Sequence, residues 1–316
     1  MEIWSHIIHH YFIQDYQKIN VNGYVKQNDT VNPSGIASTA SGIGNTIQIF
    51  AQSLELNDRA TIQTLAEGEG NAGDIFINVN DLQITGGADI DASNEGTGTG
   101  KAGNININAE NSVFITATRG IDTDNRFVVK DGYLGGIYSS ANKKGTGGDI
   151  TLTTKYLTMS DGGVISVGSQ GKGDAGNINL NINDRLTMNN AAILTKSIQS
   201  GGNATINSQK FITLNKSQIL ANAINKQGGN INVKSDLFIP SSNSILNASS
   251  KLGIDGKITI DAPDTDFTGS LKILPTTFVD ISTLLRDSCT TDRSSFFLGK
   301  RTGLSEVFLK NNNPVY

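Results

Sequence analysis

The chain contains 316 residues, with 25 Lys and Arg against 29 Asp and Glu and a formal net charge of −4. It therefore lacks the basic excess that binds the phosphates of nucleic acid, and no apolar run approaches the ~20 residues of a membrane-spanning helix. The apolar fraction of 37%, together with 35 glycines, is close to that of globular proteins and argues against a disordered polymer.

Residues 1–34 differ in composition from the rest of the chain and are predicted to form an atypical N-terminal segment or partial cap. They contain the only tryptophan and all three histidines. They do not resemble a secretory signal, because Glu2 stands where a basic residue is expected and histidines interrupt the apolar run. The spacing of His6, His9 and His10 would bring them together on a helix, but a metal site would need a further ligand, so none is predicted.

Residues 35–263 are organised by one motif: a glycine, then Asp or Asn, then an alternating apolar run. Gly73-Asp74-Ile75-Phe76-Ile77 is a clear copy, and Gly35-Ile36-Ala37-Ser38 resembles the end of an earlier, partial copy. Taking the residue after the Asp, Asn or Lys as anchor places the copies at residues 46, 75, 105, 150, 178, 204, 231 and 258. The steps are 29, 30, 45, 28, 26, 27 and 27 residues. A nearly constant step in this range is typical of a stacked repeat array.

Each copy predicts three short strands. In the copy at Asp74 the alternating groups are Ile75 to Val79, Leu82 to Ile84 and Ala88 to Ala92, and period two puts their apolar side chains on one face. No copy has the apolar spacing of a helix, which excludes a helical solenoid. An antiparallel meander is less favoured, because identical strands would then pair with different neighbours. We therefore predict an all-β parallel β-helix of about eight rungs, with identical side chains stacked ~4.8 Å apart.

One copy is too long, and its surplus, residues 119–134, is predicted to leave the array as a surface loop. Such insertions often carry binding, so a contact loop and a solvated loop without a ligand are the two interpretations. The repeated Gly-Gly-x-Gly-x-Asp calcium motif is absent, and no calcium site is predicted. The candidate contact residues are Arg119, Asp122, Asp124, Arg126, Lys130 and Tyr133.

A catalytic site is not predicted. Enzymatic β-helices that cleave acidic glycans carry carboxylates on the outer face of neighbouring rungs, and Asp161, Asp174 and Asp184 are available in this array. All three are placed at turns, where Asp has a structural role, and no acid–base pair in a perturbed environment is evident. We therefore predict no catalytic residue, no metal and no cofactor.

The repeat pattern ends after Pro263. Residues 264–300 are predicted to cap the last rung, because an uncovered rung is an unpaired β edge, and residues 301–316 are predicted to be a polar tail. Cys289 is the only cysteine, so an intrachain disulfide is excluded. It is interpreted as a small, half-buried apolar residue.

From about Gly35 to Gly303 the sequence resembles the repetitive C-terminal half of cyanobacterial filamentous-haemagglutinin-like exoproteins of the two-partner secretion type. The likeness lies in the Gly-Asn-Ile-x-Ile copies and in a closing block. That block is Ile258-Thr259-Ile260-Asp261-Ala262-Pro263, Leu274-Pro275-Thr276, Phe278-Val279-Asp280, Leu284-Leu285, Ser288-Cys289 and Ser294-Ser295-Phe296. The resemblance implies a right-handed parallel β-helix that is exported through an outer-membrane transporter and is not an enzyme.

The expected function is that of a non-enzymatic, secreted or surface adhesin-like β-helix, the distal part of a longer exoprotein. Its expected location is extracellular or at the cell surface, in association with the outer membrane. Its expected partners are extracellular or cell-surface glycans or proteins, with the transporter acting on the parent protein. The alternatives are a carbohydrate-active β-helix enzyme of the polysaccharide lyase or hydrolase type, and an orphaned remnant without function.

Overall fold

The computed structural model describes residues 11–27, 30–96, 98–117 and 135–263. Within these ranges the chain forms strands and no α-helix. The predicted insert at 119–134, the predicted cap and tail after Pro263, the three histidines and Cys289 lie outside the described residues.

The first eleven strands are β1 (Tyr11–Asn22), β2 (Tyr24–Gln27), β3 (Thr30–Pro33), β4 (Gly35–Ala40), β5 (Ile47–Asn57), β6 (Thr61–Ala66), β7 (Ile75–Ile84), β8 (Asp89–Asp91), β9 (Ile105–Thr116), β10 (Gly136–Ala141) and β11 (Ile150–Ser160). The others are β12 (Val164–Ser169), β13 (Ile178–Asn189), β14 (Ala192–Ser197), β15 (Ala204–Ser208), β16 (Phe211–Asn215), β17 (Gln218–Leu220), β18 (Ile231–Lys234), β19 (Leu237–Pro240), β20 (Ile245–Asn247) and β21 (Ile258–Asp261).

Two large parallel sheets enclose the core. The first has eleven strands and runs in the order β1-β5-β7-β9-β11-β13-β15-β18-β21, with β16 and β19 paired alongside. The second has eight strands in the order β20-β17-β14-β12-β10-β8-β6-β4. Because each turn of the chain adds to both sheets, and each strand pairs with its counterpart one turn away, the fold is a parallel β-helix. The predicted fold class is confirmed.

The strand register confirms the predicted anchors from Ile75 onward. Aligned residues of successive turns are Ile75, Ile105, Ile150, Ile178, Ala204, Ile231 and Ile258. The first anchor was predicted at Thr46, and this is wrong, since Ile47 pairs with Ile75. Asn45 takes the position of the glycine in this turn: a Cβ on Gly73 would meet the Asn45 carbonyl oxygen at 2.0 Å.

The first two predicted strands of a turn are often one strand with an irregularity. In β7 the register shifts between Val79 and Asp81, where the apolar alternation changes phase. This shift lets both halves of the strand point their apolar residues inward: Val79 and Leu82 are each at most 2% exposed. In later turns the halves separate, as in β15 and β16.

The stack begins before the predicted start at residue 35. Strand β1 pairs in parallel with β5, with Tyr11 opposite Ile47. The partial copy at Gly35 forms β4, in which Ile36 pairs with Ile62 of the next turn. Ile36 is 1% exposed and Ile62 is fully buried, so the core already includes this turn.

The Gly-Asn motif holds successive turns together. The Gly73 carbonyl oxygen occupies the space that a Cβ on Gly103 would need, at 1.9 Å, and the same close approach recurs along the stack. The residue after each glycine adds an acceptor: Asp74 Oδ1 accepts the Asn104 N–H at 2.7 Å, and Asn104 Oδ1 accepts the Asp149 N–H at 3.0 Å. The same bond continues through Asn177, Asn203, Asn230 and Lys257.

Buried hydroxyl groups tie the second sheet to the glycine turns. Thr64 Oγ1 donates to the Gly73 carbonyl at 2.6 Å, and Ser139 Oγ donates to the Gly103 carbonyl at 2.6 Å. Both side chains are fully buried. Val167 pairs with Ser139 in the register, so an apolar residue is accepted at this position in one turn. Each hydroxyl gives a buried glycine carbonyl a hydrogen-bond donor.

Substituting Gly176 by Ala should destabilise the protein. Its Cβ would lie 2.1 Å from the Gly148 carbonyl oxygen and 2.5 Å from the carbonyl carbon, so the turns must move apart. We expect the free energy of unfolding, measured by urea titration with circular dichroism, to fall by about 1–3 kcal/mol.

Gly42→Ala is the matched control, since no heavy atom lies within 4 Å of a Cβ at Gly42. It should change the free energy of unfolding by less than about 0.5 kcal/mol. Equal losses in both variants would contradict the role assigned to close approach.

Candidate functional site

Two aspartates on the outer face of the second sheet form the candidate site. Asp89 and Asp91 flank Ile90 on β8, and Ile90 is fully buried in the core. Because side chains alternate along a strand, both carboxylates project outward from positions ~7 Å apart.

Neighbouring strands supply polar partners. The register places Asp89 between Thr61 and Gly136, and Asp91 between Gln63 and Tyr138. Thr61 Oγ1 donates to Asp89 Oδ1, and Ser93 Oγ donates to Asp91 Oδ1.

Two longer bonds complete the cluster. Gln63 Nε2 donates to Asp91 Oδ2 at 3.5 Å, and the Tyr138 hydroxyl donates to the Gly135 carbonyl at 3.3 Å. Each carboxylate is therefore held by at least one neutral donor, with no cation paired to it among the described residues.

Burial changes the acidity of this cluster. Burial raises the pKa of Asp89 to about 7, with a smaller rise from repulsion by Asp91. Burial also raises the pKa of Asp91 to about 6, although the bonds from Ser93 and Gln63 oppose the rise. The pKa of Tyr138 lies well above its usual value, first because of burial and then because of the two nearby carboxylates.

Burial moves the pKa of both carboxyl groups toward neutral pH, and it moves the pKa of Asp89 further than that of Asp91. One carboxylic acid beside one carboxylate is the arrangement of a general acid and a general base.

The carboxylates considered from the sequence do not form this pair. Asp161 lies in a turn with φ of 48°, and Asp174 accepts the Ser200 N–H at 3.0 Å. Asp184 lies within β13 and not in a turn, and it pairs with Lys210 at 3.2 Å. Asp174 and Asp184 therefore bind groups of the next turn, whereas Asp161 occupies a turn position.

The signal missed in the sequence is the Asp-Ile-Asp triplet itself. Two acids at i and i+2 in an alternating run must share the outer face. The residues aligned with Asp91 on nearby strands are uncharged: Gln63, Tyr138 and Ser166. The sequence therefore showed an acidic residue at an outer position that is neutral in nearby turns, but it did not show that this residue is buried.

The structure assigns no site to the other features considered from the sequence. The contact-loop candidates Arg119, Asp122, Asp124, Arg126, Lys130 and Tyr133 lie outside the described residues. Within the described ranges, no three His, Cys, Asp or Glu side chains are grouped to hold a metal. The same part of the chain contains no helix long and apolar enough to cross a bilayer.

No known protein family, curated protein or solved structure matches this chain. The fold and the outer faces of the two sheets are the features of this chain that bear on its function.

The raised pKa of Asp89 should make stability depend on pH. The folded pKa of about 7 lies above the ordinary value of 3.8, so the folded state binds this proton more tightly than the unfolded state. The associated stability is present below pH 4 and is lost as the pH rises through 7. We expect the urea midpoint to fall between pH 4 and pH 8 in the wild type and to fall less in Asp89→Asn.

Asp74→Asn provides the control, because Asn keeps the acceptor for the Asn104 N–H. This variant should show the same decline as the wild type. A decline in Asp89→Asn as steep as in the wild type would rule out Asp89 as its source.

Proposed function

We propose that this protein is a non-enzymatic, secreted or surface-exposed adhesin-like β-helix, in line with its resemblance to filamentous-haemagglutinin-like exoproteins. The observation that carries the proposal is the regular row of uncharged polar side chains on the outer faces. Asn108 donates to Asn78 at 3.2 Å, and Asn215 donates to Asn189 at 2.9 Å. Such rows repeat at the strand spacing of ~4.8 Å.

A repeating row of amides and hydroxyls suits partners that also present many hydroxyl or amide groups. Extracellular glycans and protein surfaces both fit this description, and weak contacts that recur along a row add up through multivalency. The proposed location is extracellular or at the cell surface, in association with the outer membrane, with export of the parent protein by an outer-membrane transporter.

An immunoblot of fractionated native cells and medium, with antibody to the repeats, tests the location. The adhesin proposal expects a band at the surface or in the medium. A band confined to the cytosol would refute it and would favour a remnant without an extracellular role. Protease treatment of intact cells separates the surface pool, which should be digested, from protein inside the cell.

A second candidate function is a carbohydrate-active β-helix enzyme, and the Asp89 and Asp91 pair specifically favours it. The raised pKa values of about 7 and about 6 would suit a general acid and a general base. Against this, Thr61, Gln63 and Ser93 already bind both carboxylates, as expected for a structural cluster.

The two candidates differ in what happens to a polysaccharide. Pure protein incubated with a polyuronide should leave the chain length unchanged if it is an adhesin. If shorter or unsaturated products form, and Asp89→Asn and Asp91→Asn each slow their release by about 10²–10⁴-fold, the enzyme replaces the adhesin. Asp174→Asn serves as the control, since Asp174 lies on a different turn.

A further inference from the structure

A groove of about 520 Å³ lies on the outer face of the second sheet, beside the C-terminal ends of β10, β12 and β14 and the segment that follows β17. Its volume falls within the ~300–1,000 Å³ typical of small-molecule sites. Neither Asp89 nor Asp91 lines it. The lining residues on which the argument depends are Ser140, Ser166, Gly168, Lys196, Asn222 and Ile224.

The register explains why a groove exists here. Gly168 pairs with Lys196 of the next turn and presents no side chain to the outer face. A Cβ on Gly168 would lie 2.8 Å from the Lys196 carbonyl oxygen, so a side chain does not fit without movement. The gap at Gly168 separates the Ser140 hydroxyl from the Lys196 side chain and forms the floor of the groove.

Lys196 is the one charged residue among those that line this groove. Lysines on neighbouring turns have carboxylate partners: Lys210 with Asp184 at 3.2 Å and Lys226 with Asp174 at 3.9 Å. Lys196 has none among the described residues. Partial burial lowers the pKa of Lys196, because water is withdrawn from the ammonium without a compensating anion.

The rest of the groove is polar but uncharged, with an apolar edge. Ser140 and Ser166 contribute hydroxyls, and Asn222 Oδ1 is buried with no hydrogen-bond partner among the described residues. Ile224 is 41% exposed at the edge. Hydroxyl and amide groups beside an apolar strip match the hydroxyl and C–H faces of a sugar ring.

We propose that this groove binds an acidic oligosaccharide, with Lys196 on a uronate carboxylate and the Ser140 and Ser166 hydroxyls on ring hydroxyls. The inference rests on the proposed adhesin function, for which it names the partner and the site. The groove spans four successive turns, from Ser140 to Asn222, or ~14 Å at the strand spacing, which suits a short oligosaccharide and not a single ring.

Other anionic ligands fit less well. A polyphosphate would need several cations, and the lining contains one. Single-stranded nucleic acid would need aromatic side chains for base stacking, and none lines the groove. A neutral glycan would leave the Lys196 ammonium uncompensated.

Isothermal titration calorimetry of the purified full chain tests this with oligogalacturonate and with its methyl ester, which has the same length and no charge. The wild type should bind the acid and bind the ester at least about tenfold more weakly, because the ester loses the charged contact. Lys196→Gln should weaken binding of the acid by about tenfold or more.

Two variants keep the result interpretable. Lys196→Arg retains the charge and should retain most of the affinity, whereas Lys101→Gln removes an exposed charge from another turn and should bind like the wild type. Circular dichroism should be the same for all. The proposal is overturned if the wild type does not bind the acid, if it binds the ester equally well, or if Lys196→Gln binds as tightly as Lys101→Gln.

This result is separable from the location of the protein. If the protein binds the acid but is confined to the cytosol, the adhesin function is refuted and the proposed binding site in the groove stands. If the protein is at the surface but does not bind the acid, only the proposed binding site in the groove is refuted.

Discussion

The close approach of successive turns at the glycines is the constraint on which the structure depends. From Gly103 onward, the glycine of each motif leaves room for the carbonyl of the motif glycine one turn earlier, as Gly103 does for Gly73. The following Asp or Asn then accepts a backbone N–H of the next turn, as Asp74 does from Asn104. These two contacts bring the turns to strand spacing, so the isoleucines that follow stack and the core forms a continuous column.

A rigid core leaves the outer face free to vary. In the second sheet, Ile62, Ile90, Ile137 and Ile165 occupy aligned inward positions. The outward neighbours differ from turn to turn and carry all the chemistry discussed above. Different outward side chains on the same repeating backbone give this sheet both an acidic pair and a lysine groove.

Much of the fold could be predicted because the glycine and the apolar alternation are local signals. The error at Thr46 arose because Asn45 occupies a glycine position, so the Gly-Asn pair is displaced by one residue. The sequence predicted two strands where the structure has the single strand β7. The apolar alternation changes phase after Val79, and in the sequence this change looks like a break between two strands. The acid pair was missed because the pKa of Asp89 depends on burial by neighbouring strands, which linear spacing does not report.

In the series of bonds between turns, each Asp or Asn side chain accepts the backbone N–H of the corresponding residue in the next turn. Lys257 ends this series of acceptors. Its backbone N–H bonds to Asn230 Oδ1 at 2.8 Å, but the lysine ammonium can only donate. A turn duplicated between Asp74 and Asn230 would find an acceptor before it and supply one after it, so insertion there lengthens the column without a mismatch. A turn inserted after Lys257 would begin with a backbone N–H for which the Lys257 side chain offers no acceptor. Growth of such a column by gene duplication is therefore easier in its interior than beyond Lys257.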